Sequence, residues 1–173
     1  MEKHLSFTPG SNRDMYSILD RDRLIGAVYK TVAYSDIFDF PLTLPELHRY
    51  LEGVSISIEE LQPVVSQQLP STFAYTDGYL TFKDRTALLE QRKKRFAYSQ
   101  SLWPHALRYG RIVASLPYVR MVAVTGSLAM DNADCGGDID FFVVTEPNRL
   151  WLTRTMIIGV VRLAAKEGIE LCP

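Results

Sequence analysis

Two hydrophobic segments joined by a polar segment of defined length constrain the fold of this chain most strongly. The first segment ends at Gly126 and Ser127, and the second begins at Asp138 and continues through Asp140. Both segments are rich in β-branched and aromatic residues, which is typical of β-strands. The sequence therefore predicts two neighbouring strands that bring a glycine–serine turn close to a pair of aspartates.

The spacing of the two aspartates has a chemical consequence. Residues two apart in a strand point to the same face, so the side chains of Asp138 and Asp140 are expected side by side. Two adjacent carboxylates repel each other unless a cation neutralises them. Because hard divalent cations prefer oxygen ligands, we expect Asp138 and Asp140 to bind Mg²⁺ or Mn²⁺.

The glycine–serine turn supplies the second part of the predicted site. Gly126 lets the backbone approach a phosphate closely because it has no side chain. Ser127 is expected to begin a short helix, whose free N–H groups and dipole favour an anion. A phosphate-binding turn beside a metal-binding acidic pair is typical of enzymes that transfer phosphoryl or nucleotidyl groups.

Residues 118–145 resemble the signature of the nucleotidyltransferase superfamily related to DNA polymerase beta. That signature has a hydrophobic residue, Gly, Gly or Ser, a spacer, and then Asp, a hydrophobic residue and Asp or Glu. The resemblance implies metal-dependent transfer of a nucleoside monophosphate from a nucleoside triphosphate to an acceptor, which the sequence does not identify. It implies that Asp138 and Asp140 are catalytic metal ligands. It also implies that Gly126 and Ser127 bind the nucleotide phosphates.

The same superfamily has a third carboxylate on a later strand, facing the acidic pair. In this chain Glu170 is the one carboxylate in a suitable strand context, between Ile169 and Leu171. Two alternatives remain open: Glu170 is the third catalytic carboxylate, or that residue lies beyond Pro173. We favour the second, which implies a nucleotidyltransferase core that is incomplete at its C-terminus.

The first half of the chain has a different pattern. Apolar residues recur at helical spacing from Asp20 to Phe40. Thr43 and Ser57 each precede a helical pattern with a glutamate three residues on, which predicts two capped helices. Asp77-Gly78 between two short hydrophobic runs predicts a hairpin. Three helices followed by a hairpin resemble the bacterial winged-helix domains that precede such nucleotidyltransferase modules.

The predicted fold class is α+β, with an N-terminal winged-helix-like domain followed by a mixed-sheet nucleotidyltransferase core. Residues 1–17 are expected to be a flexible leader, 18–83 the winged-helix-like domain, 84–116 a connecting basic helix and 117–173 the partial core. The basic run 92–95 is interpreted as a solvated helix face, with a patch for nucleic acid or nucleotide phosphates as the alternative.

Charge and composition exclude several classes of protein. The 19 basic and 20 acidic residues give a net charge of −1, unlike a dedicated nucleic-acid binder. The third helix contains no Lys or Arg, so duplex DNA is not an expected partner. Apolar runs are too short for a membrane span, and Cys135 and Cys172 lack zinc-ligand spacing. We expect a cytoplasmic protein in which Asp131 and Asp134 act as loop caps rather than metal ligands.

Two functions are compatible with these patterns. The first is a metal-dependent nucleotidyltransferase with a winged-helix appendage. The alternative is a catalytically inactive nucleotidyltransferase-like module that binds or regulates, again with a winged helix. Nucleotide turnover distinguishes the two.

Overall fold

The computed structural model describes the backbone of residues 11–173 and the side chains of residues 21–173. It is a mixed α+β structure with two separate three-stranded sheets, which confirms the predicted class. The chain divides into two compact units, and the boundary falls between Leu89 and Glu90. Among the residues described, no helix has the length and apolar character needed to cross a membrane.

The first unit contains one long helix, several short ones and an antiparallel sheet with the strand order β1-β3-β2. Its elements are α1 (Ser11–Asp36), β1 (Leu42–Thr43), α2 (Leu44–Tyr50), α3 (Ile58–Pro63), a π-helical turn (Val64–Gln68), β2 (Phe73–Thr76), β3 (Tyr79–Phe82) and a 3-10 turn (Lys83–Arg85).

The first helix differs from its predicted extent. Residues 11–17, expected to belong to the flexible leader, are the start of α1, and residues 1–10 of that prediction lie outside the described part. The apolar periodicity begins only near Asp20, so it does not reveal a polar extension of the same helix.

Local signals set the next two helices. The Thr43 hydroxyl accepts from the Glu46 amide at 3.4 Å, and the Glu46 carboxylate accepts from the Thr43 amide at 2.8 Å. Ser57 and Glu60 form the same reciprocal pair, at 3.3 and 3.0 Å. Each pair satisfies backbone donors that a helix start leaves open, so both predicted starts are confirmed.

The hairpin is also where the sequence predicts it. Asp77 and Gly78 have φ values of +53° and +82°, the paired left-handed conformation that matches the twist of the flanking strands. The two-residue strand β1, which the sequence did not predict, pairs with β3 through Leu42 and Leu80. Both leucines are buried in the core of this unit.

The second unit has a mixed sheet with the order β4-β5-β6, in which β4 and β5 are antiparallel and β5 and β6 are parallel. Its elements are α4 (Leu88–Ala114), which begins just before the boundary, β4 (Val119–Val124), α5 (Gly126–Ala129), β5 (Ile139–Thr145), α6 (Leu150–Lys166) and β6 (Leu171–Cys172).

Helix α4 differs from the connecting helix expected over 84–116. One stripe of this helix, Leu102, Ala106, Tyr109 and Val113, is buried in the core of the second unit. Apolar residues at spacings of three and four form such a stripe, which a helix buries against a sheet. We therefore describe α4 as an integral part of the second unit.

Candidate functional site

The parallel register of β5 and β6 places Asp140 opposite Cys172 and Ile139 opposite Leu171. Ile139 and Leu171 are buried in the core. Since neighbouring residues of a strand point to opposite faces, Asp140 and Cys172 lie together on the other face of the sheet. The topology thus brings a carboxylate and a thiol from separate strands next to each other.

Asp138 completes a cluster with these two residues. One carboxylate oxygen from each of Asp138 and Asp140 and the Sγ of Cys172 all lie within 4.8 Å of one another. The two aspartates are partly buried, and the cysteine is exposed. The structure therefore brings together the two carboxylates that the sequence placed on one face, and it adds a thiol.

Gly126 fits against Asp140 in a way that only glycine allows. Its φ is +64°, and a Cβ at this position would overlap Oδ2 of Asp140 and come within 2.8 Å of its Cγ. The amide of the preceding Thr125 donates to the Asp140 backbone oxygen at 3.0 Å. The glycine–serine turn and the acidic pair therefore belong to one compact arrangement.

Ser127 lies in the single-turn helix α5, which Leu128 anchors in the core. The Ser127 backbone oxygen accepts from the amides of Met130 and Asn132 at 3.2 and 2.9 Å. The residue itself is exposed. Its hydroxyl is therefore on the surface, beside the glycine that contacts Asp140.

Glu170, one of the two alternatives for the third carboxylate, is not part of the cluster. It is exposed and precedes β6 by one residue, and its backbone oxygen accepts from the Ile139 amide at 2.9 Å. Glu170 and Cys172 are two residues apart, so a strand pattern gives them the same face. The pairing of β6 with β5 places Cys172, and not Glu170, directly beside Asp140. This pairing cannot be read from the sequence, so Cys172 was not identified from the sequence.

The cluster is electrostatically unfavourable for a thiolate. Loss of solvation at the sulfur raises the pKa of Cys172, and the negative charges of Asp138 and Asp140 raise it further. A hydrogen bond with the Asp140 carboxylate acts in the same direction. At neutral pH the protonated Cys172 thiol therefore donates to Asp140.

Asp131 and Asp134, predicted as loop residues, lie outside this cluster. Each instead contacts α4, through Trp103 and Arg95 respectively. The interpretation of the basic run as a solvated face is wrong for Arg92, which is only 2% exposed. Its guanidinium donates to the Asp131 backbone oxygen at 2.7 Å.

The sheet face that carries Asp140 continues as an apolar surface. Phe142 and Val144 follow at two-residue spacing along β5, and Met121 pairs with Val144 from β4. All three side chains are exposed. An acidic cluster and an open apolar face therefore adjoin on one side of the sheet.

The donor atoms of the cluster fit a divalent cation. Two carboxylates supply hard oxygen ligands of the kind Mg²⁺ and Mn²⁺ take, whereas a thiol sulfur is a softer ligand. Gly126 keeps the space beside Asp140 free of a side chain. Asp138 and Asp140 are therefore the residues that would hold the ion, with Cys172 next to it.

Comparison of the chain with models of protein families, with characterised proteins and with solved structures gives no match. Any assignment of function therefore depends on the geometry of the cluster and on the sequence motif that forms it.

Proposed function

We propose that this protein is a metal-dependent nucleotidyltransferase, which transfers a nucleoside monophosphate from a nucleoside triphosphate to an acceptor. The observation that carries the proposal is the contact of Gly126 with the Asp140 carboxylate. This contact brings the glycine–serine turn next to the acidic pair. The two elements have the spacing found in the nucleotidyltransferase superfamily, in which such a turn binds phosphate and such a pair binds metal.

Asp138 and Asp140 hold the metal ion in this proposal. A bound Mg²⁺ or Mn²⁺ would neutralise phosphate charge and favour departure of pyrophosphate. The two carboxylates keep the ion beside the turn, and their mutual repulsion makes the cation favourable. This repulsion is present in the metal-free protein, and binding of the cation relieves it.

Gly126 and Ser127 bind the phosphates of the donor. The glycine backbone offers an approach without a side chain, and the exposed Ser127 hydroxyl is available as a donor.

The first unit is proposed to be winged-helix-like. Three helices precede a hairpin whose second strand also pairs with β1, giving the order β1-β3-β2. Its third helix has Glu59 and Glu60 in its first turn and no basic residue in its last turn. We therefore assign this unit to a structural or binding role other than recognition of duplex DNA.

A catalytically inactive module that binds nucleotide is the second candidate function. The observation in its favour is Cys172, which adjoins Asp140 where a third carboxylate would support a second metal ion. A neutral thiol is a poor ligand for Mg²⁺ and a poor general base at neutral pH. This candidate differs from the first by binding without turnover.

The decisive experiment uses the four nucleoside triphosphates labelled at the α-phosphate, with Mn²⁺ or Mg²⁺. Transfer of α-label with release of pyrophosphate identifies a nucleotidyltransferase, whereas a parallel set labelled at the γ-phosphate detects phosphoryl transfer. The protein itself, total RNA and a set of small hydroxyl compounds serve as acceptor probes. Binding of labelled nucleotide without transfer to any probe favours the inactive module.

A double variant tests whether the cluster is the site. Asp138→Asn with Asp140→Asn keeps the side-chain volumes and removes both charges, so metal and metal-dependent nucleotide binding should be lost. Asp84→Asn, at an exposed aspartate of the first unit, is the matched control. Equal metal binding by the wild type and the double variant would exclude the proposed site.

A further inference from the structure

One face of α4 contacts the loop that joins the glycine–serine turn to the aspartate pair. Arg95, Ser99 and Trp103 are spaced four apart, so they lie on the same side of the helix. Each makes a hydrogen bond to loop 130–138. This loop connects Ser127 with Asp138, and its conformation sets the separation of the two.

Asp131 is the first anchor of the loop. Its Oδ1 accepts from the Trp103 indole N–H at 2.7 Å and from the Gln100 side-chain amide at 3.2 Å. Its φ is +50°, a conformation that aspartate and asparagine adopt more readily than other residues with a side chain. The two hydrogen bonds offset the cost of that backbone conformation.

Two further anchors follow along the loop. The Ala133 amide donates to the hydroxyl of Ser99 at 2.9 Å, and Ser99 is fully buried. The Arg95 guanidinium donates to both oxygens of Asp134, at 2.7 and 3.1 Å. A buried backbone amide and a bidentate ion pair therefore fix consecutive parts of the loop to one rigid helix.

The segment from Asp134, the last anchor, to Asp138 forms a compact turn. The Gly137 amide donates to the Asp134 backbone oxygen at 2.8 Å, and a Cβ at Gly137 would lie 2.9 Å from that oxygen. At the other end the Asn132 amide donates to the Ser127 backbone oxygen. Hydrogen bonds therefore restrain the backbone at both ends of the segment between Ser127 and Asp138.

We propose that Ser99, Trp103 and Asp131 are positioning residues, which hold loop 130–138 so that Asp138 lies at the correct place to bind metal with Asp140. This inference rests on the proposed function of Asp138 as a metal ligand. The basic run of α4 then serves the loop through Arg92 and Arg95 rather than an external nucleic acid. Groups hydrogen-bonded to a metal ligand typically change metal affinity about 10- to 100-fold when they are removed, and these three residues act on Asp138 indirectly, through the loop backbone.

Calorimetric titration of the full chain with Mn²⁺ tests the inference. Asp131→Ala removes the acceptor of the Trp103 N–H and disfavours the left-handed backbone, so Mn²⁺ affinity should fall, by up to about tenfold. Asp131→Asn keeps the Oδ1 acceptor and a side chain that tolerates this conformation. It should therefore restore an affinity close to that of the wild type.

A matched pair on α4 separates positioning from loss of folding. Ser99→Ala removes the acceptor of the Ala133 amide and should weaken Mn²⁺ binding. Ser101→Ala removes an exposed hydroxyl that donates to the Tyr98 backbone oxygen within the same helix. This control variant should bind Mn²⁺ as tightly as the wild type. Hydrogen exchange of the loop amides, measured without metal, should rise in Asp131→Ala and Ser99→Ala only.

The outcomes are distinct. Faster loop exchange together with weaker Mn²⁺ binding supports the inference, whereas faster exchange with unchanged Mn²⁺ affinity overturns it, because the loop contacts would then be structural only. Unchanged exchange in both variants also overturns it. Mn²⁺ binding by the wild type without nucleotidyl transfer would contradict the proposed function and leave the comparison of variants intact.

Discussion

Asp140 and Cys172 are direct neighbours on parallel strands, and the Cys172 thiol donates to the Asp140 carboxylate. The candidate metal centre therefore contains two carboxylates and one thiol, and the thiol was not predicted from the sequence. Oxygen ligands favour Mg²⁺ and Mn²⁺, and sulfur favours softer ions. The identity of residue 172 thus sets how well the site binds a hard cation.

Replacement of the thiol by a carboxylate should strengthen the site. Cys172→Asp places a third charged oxygen ligand beside Asp138 and Asp140, so affinity for Mn²⁺ should rise about tenfold, since ligand charge tunes affinity for hard cations. The same variant should be less stable than the wild type without metal, because three carboxylates repel. Calorimetry and thermal unfolding measure the two effects. Cys135→Asp, at the exposed loop cysteine, is the control, and an equal gain there would contradict a role for position 172.

The pH dependence of Cys172 alkylation should reveal the effect of the two carboxylates, Asp138 and Asp140, on the thiol. The thiolate is the reactive form, and the raised pKa of Cys172 shifts the rate of reaction with iodoacetamide to higher pH. In a Cys135→Ser background, the pH of half-maximal rate should lie above that of an unfolded peptide. Asp138→Asn with Asp140→Asn should lower it. A profile that is identical in the two proteins would show that the aspartates do not act on the thiol.

The same shift has a consequence for folding. Between the ordinary and the raised pKa, the folded protein keeps a proton that the unfolded chain loses. The contribution of Cys172 to stability is therefore fully present below the ordinary thiol pKa and is lost as pH rises above it. Cys172→Ser should remove this part of the alkaline loss of stability.

The helix start at Thr43 should contribute measurably to stability. Thr43→Ala removes the side-chain acceptor of the Glu46 amide and should lower the free energy of unfolding by about 1 kcal/mol. Thr72→Ala, at an exposed threonine of the same unit, should change it far less. Urea unfolding of the two variants checks the difference. Equal effects would show that the capping box is not stabilising.

Local sequence signals predicted much of the fold because they act within a few residues. The Thr43–Glu46 capping box and the Asp77-Gly78 turn are satisfied inside their own segments. The alternation around Asp140 gave the shared face of the aspartate pair for the same reason. The two-residue strand β1 could not be predicted in this way, because it forms only by pairing with β3.

The remaining features depend on tertiary contacts. Glu170 and Cys172 have the same strand periodicity, and only the register of β6 on β5 brings Cys172 into the cluster. Arg92 belongs to a run of four basic residues typical of a solvated surface, yet it is buried against the loop. Neither the strand register nor the partner of a buried arginine is encoded within a short window.

The full chain should not bind duplex DNA tightly. Helix α3, the third helix of the first unit, presents Glu59 and Glu60 in its first turn, and like charges repel phosphates. A gel-shift titration with random-sequence duplex at physiological salt should therefore show no sub-micromolar complex. Glu59→Lys with Glu60→Lys should increase binding if electrostatics at this helix are limiting. Tight binding by the wild type would contradict the role proposed for the first unit.

Gly126→Ala should damage the metal site specifically. The new Cβ would overlap the Asp140 carboxylate, so the carboxylate must leave its present position and Mn²⁺ affinity should fall sharply. The change also places alanine at a positive φ, which costs about 1 kcal/mol by itself. Loss of stability alone therefore does not identify the cause.

Gly168→Ala separates these two effects. Gly168 has a φ of +74°, so alanine there has a similar backbone cost, but its Cβ would meet nothing within 4 Å. Both variants should unfold at lower temperature than the wild type, whereas only Gly126→Ala should lose Mn²⁺ binding. The measurement is a calorimetric titration at a temperature where both variants are folded. Equal Mn²⁺ affinity in the two variants would show that the contact of Gly126 with Asp140 does not shape the metal site, and the observation that carries the proposed function would no longer support it.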